Sequence, residues 1–304
     1  MTLRESTRES YQERVLRTLV SLERDIDREP RLDDLARGAH LSPFHFHRVF
    51  SAVVGESPVE YVRRLRLERA AHELRQSTRQ VQHVAREAGY GSHEAFTRAF
   101  RARFGVAPSA FRRLAEEALP RGDGGAARRG RVEVLRPIRV AFIRHVGPYE
   151  LAPMAWGRLM TWAGSSTQFR RSAGSAEPLL LGVPHDNPSV TPPERLRFDC
   201  CVAVDDKVRP EGEIGVQDVA GGAYARAVHR GPFERLADTY VWIAASFIPD
   251  AGYRMRSGPF LELYLTPPER TAPEELLTEV FVPVMGAGAR AHEKGELNRS
   301  ASSV

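Results

Sequence analysis

Cysteine is nearly absent. The chain has two, Cys200 and Cys201, and they are adjacent. Neighbours on a strand point to opposite faces, so the pair makes a poor disulfide and no metal framework. They read as small strand residues in a reducing cytosol. Lysine is equally scarce: Lys207 and Lys294 stand among 44 basic residues, the rest arginine. No apolar run approaches the roughly 20 residues of a membrane helix. The N-terminus is charged from Arg4 onward and has no apolar h-region, so a cytoplasmic protein with no membrane partner is expected. Catalytic signatures are missing too: there is no P-loop, zincin helix or nucleophile elbow. Neither an enzyme, nor a catalytic residue, nor a cofactor is expected. His45, His47 and His93 make no metal set, because 45 and 47 lie on different helix faces and no acid or cysteine completes the group.

What is present is charge, unevenly placed, and internal repetition. The 304 residues leave room for about two domains, and 42% of them are hydrophobic, enough for real cores. Counting Arg and Lys against Asp and Glu, residues 1–115 carry about +6 and residues 132–286 about −3. A basic front and a mildly acidic back suit a nucleic-acid domain joined to something else.

The front repeats. Ala36, Arg37 and Ala39 fall on Ala85, Arg86 and Ala88; Phe46, Arg48 and Phe50 fall on Phe96, Arg98 and Phe100; Gly55 and Pro58 fall on Gly105 and Pro108. Each copy reads as a short helix, a tight turn and a second helix with an arginine on its face. Residues 1–10 read as frayed. Apolar spacing predicts a helix over 11–26, ended by Pro30, then helices over 32–39, 43–54, 58–76, 81–88, 92–104 and 108–118. Ser42 and Ser92 are expected N-caps, Pro43 an N1 residue and Gly55 a terminator. Phe46, Phe50, Phe96 and Phe100 are spaced as core. Arg63, Arg64, Arg66, Arg69 and Arg75 read as a solvated helix face. The 58–76 helix would span about 28 Å at 1.5 Å per residue, close to the roughly 34 Å between successive major-groove faces.

The back repeats as well. Residues 140–150, VAFIRHVGPYE, lie over 224–234, YARAVHRGPFE. Each copy reads as a strand, a Gly-Pro turn with proline at the first helical position, and an apolar helix (149–163; 233–247). Strands follow over 179–183 and 197–204 in one copy, 260–266 and 276–284 in the other. The fold class expected is multidomain. An all-α N-terminal domain has two helix-turn-helix units joined by a long helix. An α+β domain of two pseudo-symmetric strand–helix–strand–strand modules follows. The expected boundaries are 1–118, a flexible linker 119–131 rich in Gly and Arg, 132–286, and a disordered tail 287–304.

From AHLSPFHFHRVFSAVVGESPVEYVRRLRLERAA to EAGYGSHEAFTRAFRARFGVAPSAFRR the front resembles the AraC/XylS family of transcription regulators. The resemblance implies that the exposed face of each second helix reads base edges: Phe44, His47 and Arg48, then His93, Glu94, Thr97 and Arg98. The chemistry agrees. Arginine donates two parallel hydrogen bonds to guanine, glutamate accepts from cytosine, and a threonine methyl packs on thymine. Ser42 and Ser92, at helix N-termini, are candidate phosphate contacts. The back, through RHVGPYE, RFDCCVAV, HRGPFE and FLELYLTPP, resembles the GyrI-like domain found fused to this DNA-binding domain in Rob-type regulators. That resemblance implies a small amphipathic or cationic effector and a glutamate in an aromatic pocket. Glu262 looks like that glutamate. Strand alternation puts it on one face with Phe260 and Tyr264, with Leu261, Leu263 and Leu265 on the core face. Tyr149, Trp156, Phe233 and Trp242 are candidate walls. Double-stranded DNA, the effector and RNA polymerase are the implied partners. Two alternatives stand beside this: a GyrI-like hydrolase that detoxifies strained electrophiles, and a DNA-binding protein whose back half is only a protein-interaction module.

Overall fold

The computed structural model describes residues 3–77, 79–118, 129–164, 178–256 and 258–286. The expected tail and all but the end of the expected linker lie outside these residues. No helix among the described residues is long and apolar enough to cross a membrane, and no cluster among them could hold a metal. The chain divides into two compact units, one from 1–123 with 138–219, the other from 124–137 with 220–304. The first strand module thus belongs to the same unit as the front helices.

Seven helices open the chain: α1 (Leu3–Arg24), α2 (Leu32–Gly38), α3 (Pro43–Val54), α4 (Pro58–Gln76), α5 (Val81–Glu87), α6 (His93–Phe104) and α7 (Pro108–Ala118). Ser42, Ser92 and Gly55 cap their helices as the sequence calls for. Ser42 accepts from His45 N and Ser92 from Ala95 N, each worth about 1 kcal/mol. Ser57 and Glu60 close a capping box at the start of α4. Gly55 and Gly105 end α3 and α6 at φ +83° and +77°, which a residue with a Cβ adopts only under strain. Two boundaries differ from expectation. Helix α1 begins at Leu3, because extending a formed helix through Arg4, Glu5, Arg8 and Glu9 costs little once nucleated. It ends at Arg24, six residues before Pro30, in a turn whose Ile26 carbonyl is taken by Arg66 Nε at 2.8 Å.

Helix α4 explains why the two helix-turn-helix units stay together. Tyr61, Val62 and Leu65 are buried in a first core with Val15, Leu22, Phe46 and Phe50. Leu67, Ala70, Ala71 and Leu74 are buried in a second core with Val84, Ala85, Phe96 and Phe100. With both ends of the helix enclosed, part of its arginine face is not solvated as expected. Arg64 and Arg66 are each 9% exposed. Arg64 is held by Glu56 at 2.6 Å and Glu68 at 3.1 Å, and Arg66 pairs with Glu29 at 3.1 Å. Arg69 reaches Asp27 at 2.6 Å, while Arg63 stays exposed.

The rest of the first unit is an antiparallel sheet in the order β3 (Leu180–Pro184), β4 (Arg197–Ala203), β2 (Ile138–Val146), β5 (Gly215–Val219), with α8 (Ala152–Gly164) packed on it. The second unit has the antiparallel order β1 (Gly130–Leu135), β6 (Gly222–Arg230), β9 (Leu277–Gly286), β8 (Leu261–Tyr264). The short strand β7 (Tyr253–Met255) also pairs with β9. Helix α9 (Leu236–Trp242) continues as a π turn through Phe247 and a last turn, α10 (Ile248–Asp250). The sequence reading has no strand at β1, β5 or β7. Residues 130 and 131, expected in the linker, start β1.

Both Gly-Pro turns are built alike. His145 and His229 turn Nε2 to the carbonyl of Pro148 and Pro232, at 2.8 and 3.2 Å. Gly147 and Gly231, at φ +139° and +132°, donate to the carbonyls of Leu196 and Leu276. The prolines are therefore not at the first helical position. They are extended residues, and a 3₁₀ turn (Tyr149–Leu151; Phe233–Arg235) comes before each α-helix. Cys200 and Cys201 are buried free thiols, and burial pushes both far from ionisation.

In the first unit, a buried ion centre joins helices to strands. Glu23 of α1 accepts at Oε1 from Arg144 at 2.7 Å, from Arg197 at 2.6 Å and from the Tyr61 hydroxyl. Each arginine is also gripped by a second carboxylate at two points: Arg144 by Asp199 at 2.7 and 2.9 Å, Arg197 by Asp186 at 2.8 and 2.7 Å. His185 and Gln217 add contacts to Asp199 at 2.8 Å. Burial raises the Glu23 pKa and the two arginines lower it; together they hold the carboxyl at about 2, below its ordinary 4.5. Asp199 is held low in the same way. A lowered carboxylate pKa contributes stability that is complete above the unfolded value and is lost as pH falls toward the folded value. The melting temperature should therefore fall as pH is lowered from about 5 toward 2. Glu23→Gln leaves Arg144 and Arg197 undercompensated and should cost roughly 3–5 kcal/mol at pH 7, with a shallower acid limb. Thermal melts across this range check both; an unchanged melting temperature at pH 7 would contradict the account.

Candidate functional site

Two exposed faces and one buried cluster carry the candidate chemistry. On α3 the ring pair Phe46 and Phe50 is fully buried, so helical geometry turns Phe44, His47 and Arg48 outward, and all three are exposed. Phe44 is 73% exposed, and the Arg48 guanidinium lies 5.8 Å over its ring. An aromatic ring that is left in water and stacked by an arginine keeps that arginine extended along the helix face.

On α6 Phe96 and Phe100 are buried, and His93, Glu94 and Arg98 are exposed. Thr97 is half-buried, and its hydroxyl has no hydrogen-bond partner among the described residues. Arg98 and Thr97 border an open hollow of about 320 Å³ with Arg101 and Ala102. Arg101 was missed in the sequence, although it lies three residues after Arg98 and so on the same face. Ser42 and Ser92 serve as caps first, each accepting a backbone N–H. Hydrogen bonds from its own N–H and from the Ser92 hydroxyl hold the Glu94 carboxyl below its ordinary range. Ser92 is thus already engaged on both its accepting and its donating side.

The buried cluster is in the second unit. Glu262 on β8 is 6% exposed. Its Oε1 accepts from the Tyr240 hydroxyl at 2.9 Å and its Oε2 from the Tyr264 hydroxyl at 2.7 Å. Tyr240 stacks on Phe260, with centroids 5.7 Å apart, and Phe233 meets the Tyr264 ring edge-on at 5.6 Å. One carboxylate is thus framed by four aromatic side chains. Burial raises its pKa, and the two tyrosine hydrogen bonds pull partly back.

Of the sequence-derived candidates, Phe233, Phe260, Glu262 and Tyr264 lie together, and Tyr240 joins them. Its signal was its place on the apolar stripe of α9 with Leu236 and Ile243. Trp242 is two residues on, about 200° round the helix, and stacks on Phe247 instead. Tyr149 and Trp156 belong to the first unit. The Tyr149 hydroxyl donates to the carbonyls of Asp186 at 2.6 Å and Arg197 at 3.3 Å, and Trp156 is half-buried on α8. The three leucines do not share one fate: Leu261 is buried, Leu263 intermediate and Leu265 46% exposed, because β8 ends at Tyr264. A raised carboxyl pKa opposes folding once pH exceeds the unfolded value of the group. Glu262→Gln should therefore raise the melting temperature relative to wild type, and the gain should grow from pH 4 to pH 7. Paired melts check this; a variant destabilised at pH 7 would contradict it.

Comparison with known proteins fits this layout. The GyrI-like small molecule binding domain family matches residues 131–285, and the helix-turn-helix domain family matches residues 35–114. Over 152 residues the chain is 30% identical to the probable transcriptional regulator YgiV of Escherichia coli K12, covering 48% of this chain and 90% of that protein. Over 83 residues it is 41% identical to the HTH-type transcriptional regulator Rv1931c of Mycobacterium tuberculosis, covering 27% of this chain and 32% of that protein. The solved C-terminal domain of EcmrR is similar over 53% of this chain and 99% of its own length, at TM-score 0.43 and 18% identity. The chain belongs to the AraC-type transcriptional regulators that carry a GyrI-like small molecule binding domain.

Proposed function

We propose that this regulator reads two successive major-groove faces of one duplex with α3 and α6, and that a small amphipathic or cationic effector held at Glu262 changes how it does so. The observation that carries the reading is the matched pair of exposed arginines, Arg48 and Arg98, on two capped helices joined through α4. Ser42, Phe44, His47, Ser92, His93, Glu94 and Thr97 complete the DNA-facing set, and Arg101 extends it. The domains of this role are 1–118 for DNA and 132–286 for the effector. The latter is a duplicated pair of strand–helix–strand–strand modules, a duplication supported by the two matching Gly-Pro turns. RNA polymerase is the further partner such a role requires, and the cytoplasm its place.

The chemistry of the effector follows from the cluster. A carboxylate framed by aromatic faces attracts a lipophilic cation by charge and by ring quadrupole. Because burial raises the Glu262 pKa, the cation competes with a proton. Its binding should release that proton and tighten as pH rises from about 5.

The test uses the full chain and 30-base-pair duplexes that it selects from a random library. Arg48→Ala and Arg98→Ala should each weaken the selected duplex about tenfold to a hundredfold and random duplex far less. The protected site should be asymmetric and about 20 base pairs long. Equal losses on both duplexes, or a palindrome bound only by dimers, would overturn the DNA reading. Tetraphenylphosphonium should bind by calorimetry and shift the affinity for the selected duplex. Glu262→Gln should weaken that cation about tenfold and leave neutral triphenylphosphine oxide nearly unaffected. Unchanged affinity for both compounds would place the effector site elsewhere, and turnover of a bound electrophile would favour the hydrolase.

A further inference from the structure

The segment between β3 and β4, residues 185–196, is twelve residues long and holds no strand. Its shape is set from within. The Asn187 side chain accepts from Ser189 N at 2.9 Å, and its carbonyl accepts from Val190 N and Thr191 N at 2.8 and 2.9 Å. A 3₁₀ turn, Pro193–Arg195, then leads into β4. This segment belongs to the GyrI-like domain by sequence, yet it runs against α4 of the DNA-binding domain.

Its contacts fall at both ends of that helix. Toward the N-terminal end, Arg197 donates to the Tyr61 hydroxyl at 2.8 Å, and Arg195 lies 3.7 Å from Glu56. Toward the C-terminal end, Asn187 Nδ2 faces His72 Nδ1 at 3.4 Å. Burial and the neighbouring Arg75 lower the His72 pKa to about 4, so at neutral pH its ring is uncharged and Nδ1 can accept that amide. Val190 packs on the second helix-turn-helix core. Tyr61 belongs to the first core. Eleven residues of helix separate Tyr61 from His72, about 16 Å along the axis.

Among the described residues, α4 is the only element that gives buried residues to both of these two cores. A single helix joining two bodies can still bend and twist, which moves the reading helices at its ends against each other. A second connection, pinned at both ends of α4, removes that freedom. We infer that residues 185–197 are a positioning strap: this part of the GyrI-like domain holds α3 and α6 at one separation and phase, so that the spacing of the two DNA contacts is set from outside the DNA-binding domain. Asn187, Val190 and Arg197 act through α4 and touch no base. The inference rests on α3 and α6 being the reading helices.

The experiment compares full-length wild type with Asn187→Ala/Val190→Ala on the selected duplex and on versions with one base pair inserted or deleted between the two contacts. Wild type should discriminate against the shifted duplexes by about tenfold or more. The double variant should fall below about threefold, with its affinity for random duplex unchanged and a cooperative melt. That combination separates lost positioning from lost folding. If the double variant does not melt cooperatively, Asn187→Ala alone carries the same comparison, since its half-buried side chain leaves no core cavity. Full discrimination in a folded variant would overturn the strap, as would equal losses on all duplexes or a wild type indifferent to the shift. If Arg48→Ala and Arg98→Ala leave binding intact, it is the assignment of the reading helices that fails, and the two failures are distinct.

Discussion

The carboxylate of Glu23 sits between the guanidinium groups of Arg144 and Arg197 and under the hydroxyl of Tyr61, and the first unit depends on that arrangement. Taking these charges out of water costs several kcal/mol each. The cost is offset only because every partner is in place: Asp199 and Asp186 grip the two arginines, and His185 and Gln217 hold Asp199. Such a centre adds little net stability compared with apolar packing, but it tolerates one geometry. Shifting α1 against β2 or β4 breaks several charge-assisted bonds at once. The sheet of the first module and the helices of the DNA-binding front therefore share a single rigid interface inside one unit.

That constraint recasts the back half of the chain. The equivalent strand position in the second module shows the contrast: where β2 has Arg144 opposite Asp199, β6 has Val228, 48% exposed, opposite Glu279. The two modules share their turn construction, with a histidine on the proline carbonyl and a glycine bonded across to the next strand, and differ in what covers their sheets. One carries residues that dock helices. The other carries the acid–aromatic cluster of Glu262, Tyr240 and Tyr264. The two turns are built alike, and the side chains around them differ.

Much of this was legible in the sequence. Local signals placed the front helices, because Ser42, Ser92 and Gly55 act within a turn of where they stand. The duplication placed both Gly-Pro turns and the aromatic pairs of both cores. Alternation along 260–264 put Glu262 beside Tyr264. What stayed hidden depends on pairing across long separations. Strands β1, β5 and β7 pair with strands far along the chain. Arg66 looked solvated because the acid that holds it, Glu29, lies 37 residues earlier in the chain; the acids that hold Arg64, Glu56 and Glu68, are close in sequence, and there the signal was local. Tyr240 shares the stripe of Leu236 and Ile243, whereas Trp242 lies about 200° round the helix, a difference that helical phase alone marks. Summed charge also misled: a basic front and an acidic back suggested separation, while at the joint an acid of the front meets two arginines of the back.

Native-state hydrogen exchange on the full chain tests the central claim most directly. If the Glu23 centre makes helices and first module one cooperative body, the slowest amides of α1, α4, β2 and β4 exchange with a single common free energy, and Glu23→Gln lowers all of them together. Amides of α1 and α4 that open on their own, at a lower free energy that Glu23→Gln leaves unchanged, would contradict it.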